Sequence, residues 1–246
     1  MRTILTFGFI FLFLLFGYIP LGIFWLYRKV DEKKADLLQL RLIQSVFRIV
    51  SKLAGIKLTI IGDENIPKNE PVLYVGNHRS MVDIVITYAQ CPGLTGFVSK
   101  NVVEKVPALR VWMRRLHCEF LDRDDIKQGL KVILSCIDKV KNGISIFIFP
   151  EGTRNKNKED SSDISTFKDA SFKIAKKTGC LVVPVAITGT NTIFEDHAPF
   201  IRSGKVILEY GKPINLEDLD AEDQKHVGAY FQNHIQKMLV EHKQMM

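Results

Sequence analysis

The chain has 246 residues, 46% of them hydrophobic, enough for one substantial domain plus an appendage. Lysine and arginine exceed aspartate and glutamate by 34 to 27, a net charge of +7 that favours a phosphate-bearing or membrane-surface partner and argues against a cationic one. Cys91, Cys118, Cys136 and Cys180 are scattered without a C-x-x-C or a paired spacing, so neither a zinc site nor a disulfide framework is indicated and reduced, buried thiols are expected.

Residues 3–27 carry no charge and are long enough to cross a hydrocarbon core of about 30 Å. No small-x-small site follows, so a retained membrane segment is expected in preference to a removable signal. Gly17, Pro20 and Gly22 could bend it, which leaves a straight span and a kinked segment within one leaflet both open. Arg28, Lys29, Lys33 and Lys34 outnumber the positive charge before the segment, which puts the large C-terminal part in the cytoplasm if the segment spans. Over 36–54, Leu38, Leu42, Val46, Ile49 and Leu53 recur at helical spacing, with Arg41, Arg48 and Lys52 on other faces. This amphipathic helix either packs on the core or rests on headgroups. Residues 1–54 therefore read as a membrane anchor, and 55–246 as the domain it tethers.

From residue 56 onward, strand-like runs at 57–61, 72–75, 96–99, 119–121, 144–149, 181–188 and 206–210 alternate with helical patterns near 81–90, 107–115, 125–141, 168–178 and 217–243. Such alternation argues for an α/β sheet with covering helices. The polar stretch 155–165 reads as a loop insert.

Three places gather chemistry. Asn77-His78-Arg79-Ser80-Met81-Val82-Asp83 follows the apolar run 72–76. Ser80 and Asp83 have the spacing of a capping box, which alone would explain the acid. If His78 lies in the turn two residues before the cap, Asp83 at N3 also points back to it, and a carboxylate–imidazole contact would free the other ring nitrogen to accept a proton. His117 and Asp122 share the spacing, but in a strand-like segment an odd separation sends the two side chains to opposite faces. The second place is Phe149-Pro150-Glu151-Gly152-Thr153-Arg154, where a strand ends in a carboxylate, a glycine, a hydroxyl and an arginine. Strand ends of α/β sheets are where ligands dock, and Arg can engage phosphate bidentately; a plain turn with a solvated Arg is the other reading. Third, Arg123 follows the strand-like 119–121, where an Asp124 helix cap with a neutralising Arg is the other reading, and Lys100 follows 96–99, where a merely solvated lysine is.

In order and interval, Asn77-His78 to Asp83, Phe120-Leu121-Asp122-Arg123, Phe149 to Arg154 and Val182-Val183-Pro184-Val185 to Thr190 together resemble the glycerolipid acyltransferases, specifically the 1-acylglycerol-3-phosphate acyltransferases, over roughly 56–215. The resemblance implies an α/β fold with a mixed sheet covered by helices, an N-terminal membrane-associated helical segment, and a catalytic domain on the cytoplasmic face of the cell membrane. It implies acyl transfer from an acyl thioester, carried by coenzyme A or by acyl carrier protein, to the free hydroxyl of lysophosphatidic acid. No metal, cofactor or nucleic acid is expected. His78 would be the general base and Asp83 its orienting partner. Arg123, Arg154 and Lys100 would bind the acceptor phosphate, while Glu151, Gly152 and Thr153 would shape the acceptor pocket or stabilise the oxyanion. The 182–190 block would be structural or line the acyl site. No acyl-enzyme is required, which agrees with the absence of G-x-S-x-G. Arg79 stands where the family often has Gln, so an extra charge beside the base would alter headgroup preference.

Overall fold

The structure, a computed structural model, describes residues 1–245 apart from Arg123, Lys158, Glu159 and Ser161. The apolar N-terminal segment forms two helices, α1 (Arg2–Phe16) and α2 (Tyr18–Arg28), which meet at Gly17 with a bend of 44°. A Cβ at Gly17 would lie 2.5 Å from the Phe13 carbonyl oxygen and 3.0 Å from the Trp112 indole nitrogen, so only glycine lets the joint close on Trp112. Pro20 sits in the first turn of α2, where no intrahelical N–H is needed. Neither helix by itself is long and apolar enough to cross a membrane; only the bent pair passes by length and composition. The start of α1 lies against the rest of the molecule. The Ile201 N–H donates to Thr3 Oγ1 at 3.0 Å, and Phe7 meets Phe194 edge-on with ring centroids 5.8 Å apart.

Helix α3 (Glu32–Ala54) starts at Asp31, whose carboxylate caps the Lys34 N–H, and stops at Gly55 in the left-handed region, φ 74°. Its buried face differs from the expected stripe. Leu38 and Ile49 are 43% and 44% exposed, while Asp36, Gln39, Leu40, Ile43, Gln44, Val46 and Val50 are buried. The reason is polar docking. Gln44 donates to the Tyr88 and Cys91 carbonyls, Arg48 to that of Ala89, and Arg41 to that of Pro92, so α3 satisfies the open carbonyls at the end of a neighbouring helix. A hydrophobicity pattern scores those residues as solvent-facing.

The remaining elements run β1 (Ile56–Ile61), β2 (Leu73–Gly76), α4 (Met81–Gln90), β3 (Thr95–Lys100), α5 (Pro107–Arg115), β4 (Glu119–Leu121), α6 (Ile126–Lys141), β5 (Ser145–Ile148), α7 (Lys173–Thr178), β6 (Val182–Thr188), β7 (Gly204–Tyr210), α8 (Ala221–Lys225) and α9 (Val227–His242). All seven expected strands are present. The expected helix over 217–243 is broken at His226, which leaves helical geometry (φ −119°, ψ 45°). The expected 168–178 helix opens with a 3₁₀ turn, Asp169–Phe172.

One sheet of order β1-β7-β6-β2-β5-β3-β4 results, parallel throughout except for the antiparallel β6–β7 pair. Alternation along the central strands divides the core into two layers. Tyr74, Phe97, Phe147, Val183 and Val185 face one way and pack with Leu21 of α2 and Leu40 and Ile43 of α3. Leu73, Val75, Ile146, Ile148, Val182 and Ala186 face the other, under Val132 of α6 and Phe231 and Ile235 of α9. Burial on both faces explains why the central runs read as continuously apolar. It also leaves the ends of the central strands open to polar side chains.

Candidate active site

The site forms where β2 and β5 end side by side. Asn77, the first residue past β2, is clamped to β6: its Nδ2 donates to the Ile187 carbonyl at 2.9 Å and its Oδ1 accepts the Ile187 N–H at 2.8 Å. The chain then turns through His78 and Arg79 to Ser80, the N-cap of α4, and the capping box is formed. Asp83 at N3 does more than cap. Its Oδ2 accepts the Arg79 N–H, the Ser80 N–H and the His78 Nδ1–H, each at 2.8 Å, and its Oδ1 accepts the Thr190 hydroxyl. Cap and histidine contact are therefore one geometry. Asp83 is buried, and the His78 ring stacks on Phe149 with centroids 4.2 Å apart and 17° between planes. With Nδ1 committed as donor, Nε2 is the acceptor nitrogen.

The other His–Asp pair is not brought together, but both residues lie outside β4, so strand alternation is not the reason. His117 does not reach Asp122; it sits in a left-handed turn (φ 60°) just before β4 and meets Asp36 of α3 at 2.9 Å. Asp122 instead accepts Asn101 Nδ2 at 2.8 Å.

Glu151 lies beneath the site, 5% exposed, and does not line the cleft. One of its oxygens accepts the His78 N–H at 2.6 Å and the other the Ser165 N–H at 2.9 Å, so it holds the backbone of the histidine turn and does not shape an acceptor pocket directly. Burial pushes its carboxyl above the ordinary value, an effect those N–H donors oppose. The Asn155 N–H donates to the His78 carbonyl at 2.8 Å and stitches the two turns together. Gly152, at φ 72°, gives its N–H to the Phe149 carbonyl at 3.0 Å, which removes it from the set of oxyanion donors. Arg154 Nη1 pairs with Glu195 Oε1 at 2.9 Å, and the same oxygen accepts the Met81 N–H at 2.8 Å. Glu195 thus ties Arg154 to the first residue of the helix that carries Asp83.

Arg79 is not an added charge facing the base. It is 4% exposed, does not line the cleft, and donates to the carbonyls of Asn157, Asp160 and Asp163, holding the polar insert. Arg123 lies outside the described residues.

A cleft of about 390 Å³ opens beside His78. Lys100, Thr153 and Arg154 line it, and so do Lys156 and Lys168. No Asp or Glu among the described residues lines it. A smaller, almost wholly apolar cavity of about 120 Å³ lies between α1, α3 and α4 and shares Met81 with the cleft. Among the described residues no group of three or more His, Cys, Asp or Glu could hold a metal ion.

A family model described as Acyltransferase matches residues 57–188, from β1 through the last residue of β6. The chain is 30% identical over 201 residues to a 1-acyl-sn-glycerol-3-phosphate acyltransferase of Borreliella burgdorferi, covering 80% of this chain and 78% of that one. It is 32% identical over 166 residues to a chloroplast 1-acyl-sn-glycerol-3-phosphate acyltransferase of Arabidopsis thaliana, covering 67% of this chain but 45% of the relative. The chain spans about half the length of several curated relatives. A crystal structure of the 1-acyl-sn-glycerophosphate acyltransferase PlsC from Thermotoga maritima superposes with a TM-score of 0.82 at 25% identity, over 98% of this chain and 95% of that one. With the matched region running from the first strand through Ile187, which clamps Asn77, the chain belongs to the acyltransferase family.

Proposed function

We propose that the chain transfers an acyl group from an acyl thioester to the sn-2 hydroxyl of lysophosphatidic acid, forming phosphatidic acid. The observation that carries this reading is the His78–Asp83 pair at the edge of a cleft lined by cations and, among the described residues, by no carboxylate. His78 Nε2 takes the hydroxyl proton as the oxygen attacks the thioester carbonyl. Asp83, held by three further donors, stays in place and stabilises the imidazolium that forms. Collapse of the tetrahedral intermediate expels the thiolate, which takes the proton back from His78. With the Gly152 N–H engaged, the Thr153 N–H is the oxyanion donor in this scheme. Lys100 and Arg154 bind the acceptor phosphate, and the apolar cavity beyond Met81 takes acyl methylenes. Both coenzyme A and acyl carrier protein remain donors to be tried.

The same reading puts the catalytic domain on the cytoplasmic face of the cell membrane. Ile4, Phe11, Leu15, Ile19, Ile23 and Leu26 expose between 55% and 77% of their surface, a face suited to lipid. Because Thr3 and Phe7 touch Ile201 and Phe194, the start of α1 lies beside the catalytic domain, and we place the bent pair within one leaflet. Arg28, Lys29, Lys33 and Lys34 then meet the headgroups. The test is thioester consumption by detergent-solubilised wild type and His78→Ala, with lysophosphatidic acid as acceptor and each donor in turn. Wild type is expected to form phosphatidic acid, and the variant to fall by about two orders of magnitude or more. A wild type inactive with both donors, or a variant that keeps its rate, overturns the proposal.

A further inference from the structure

The cleft beside His78 holds a cation for which the reading above has no task. Residues 165–168 are strapped to the turn after β5 at both ends: the Ser165 N–H donates to Glu151 and the Lys168 N–H to the Pro150 carbonyl at 3.1 Å. Between these anchors Gly152 presents a bare Cα. A Cβ there would lie 3.2 Å from Lys168 Nζ and 3.4 Å from its Cε, so the lysine arm runs flat across the glycine into the cleft. Gly152 is thus a trough for the side chain of Lys168.

The ammonium is placed but, among the described residues, not neutralised. No hydrogen bond or ion pair engages Lys168 Nζ among the described residues, whereas Arg154 is tied to Glu195. Lys100 and Lys156 line the same cleft, again with no carboxylate there among the described residues. Like charges gathered without a counter-charge oppose folding, and they become favourable only when an anion of matching charge enters. A phosphate monoester carries a charge of about −1.5 to −2 near neutral pH, a phosphodiester only about −1, so the number of cations decides which is preferred.

We propose that Lys168 binds the phosphate monoester of the acceptor and sets the preference for a monoester over a diester headgroup. This rests on the acyl-transfer reading for its biological sense but not for its test. Detergent-solubilised wild type, Lys168→Met and Lys168→Arg are compared in two arms. In the first, with no donor present, binding of lysophosphatidic acid and of lysophosphatidylglycerol is measured. Lys168→Met is expected to weaken lysophosphatidic acid binding roughly tenfold, to shift lysophosphatidylglycerol binding less than about threefold, and Arg to restore most of the loss. In the second arm, the KM for lysophosphatidic acid rises by a similar factor in Lys168→Met while the donor KM stays within about twofold. Equal weakening of both lysolipids, or a rise in donor KM alone, would falsify the assignment. Lys168-dependent binding without phosphatidic acid formation leaves the assignment standing and sinks the acyl-transfer reading; turnover with unchanged binding does the reverse.

Discussion

Asp83→Asn separates the two jobs that one side chain does. The carboxylate accepts four donors, three of them at one oxygen. An asparagine oxygen in the Oδ2 position keeps those three, and the Thr190 hydroxyl can rotate to accept from the new amide, so the shape of the cap survives. What is lost is the negative charge opposite the imidazolium. For charge centres about 4 Å apart at an effective dielectric near 20, that is about 4 kcal/mol, or about three orders of magnitude in rate. Weaker, uncharged hydrogen bonds to two backbone N–H groups cost about 1–2 kcal/mol of stability, a drop in melting temperature of roughly 2–8 °C. The control is Ser80→Ala, which removes the acceptor of the Val82 N–H; it is expected to cost about 1 kcal/mol of stability but less than about threefold in rate. The assays are steady-state phosphatidic acid formation and thermal unfolding of the solubilised protein. An Asp83→Asn rate within tenfold of wild type, or a Ser80→Ala rate loss equal to that of Asp83→Asn, refutes the reasoning.

Thr190→Val leaves Asp83 Oδ1 buried without its hydroxyl donor, so stability is expected to fall by about 1–3 kcal/mol and rate by roughly tenfold. A melting shift with no change in rate would mean that the backbone donors alone orient the carboxylate. Arg79→Gln shortens the arm that holds the carbonyls of the polar insert; limited proteolysis is expected to cut within 155–163 faster, with a severalfold rise in KM for the acceptor and little change in kcat. Identical cleavage rates overturn this. Burial pushes the Cys91 and Cys136 thiols up to about 12 and that of Cys118 to about 11, so thiolates form only in strongly alkaline solution. N-ethylmaleimide near neutral pH is therefore expected to leave these three unlabelled and activity intact, and loss of activity in step with labelling of one of them would contradict the placement.

The strands were legible because both sheet faces are buried: 72–75, 144–149 and 181–188 had to be apolar almost throughout, and turn residues bounded them. The helix of 36–54 was legible as a helix but not in its orientation. Gln44 faces inward because an adjacent helix end offers unpaired carbonyls, and a stripe of leucines carries no record of that offer. Arg79 misled in the same way. Its position next to the base was plain in the sequence; that its guanidinium turns to the carbonyls of Asn157, Asp160 and Asp163 was not.

What the sequence alone determined is the local geometry of one turn. Asn77 to Asp83 spans a strand end and a helix start, where the spacing of Ser80 and Asp83 specified the cap and allowed, without requiring, the contact with His78 that the structure shows. The tertiary structure decided everything that reaches this turn from elsewhere. Glu151 grips the His78 N–H across 73 residues, Thr190 reaches Asp83 across 107, and Glu195 reaches the Met81 N–H across 114. These contacts exist because β5 and β6 lie on either side of β2 and end level with it. Strand order follows from how two apolar layers are covered at once, a property of the whole packed chain that no local pattern of residues encodes.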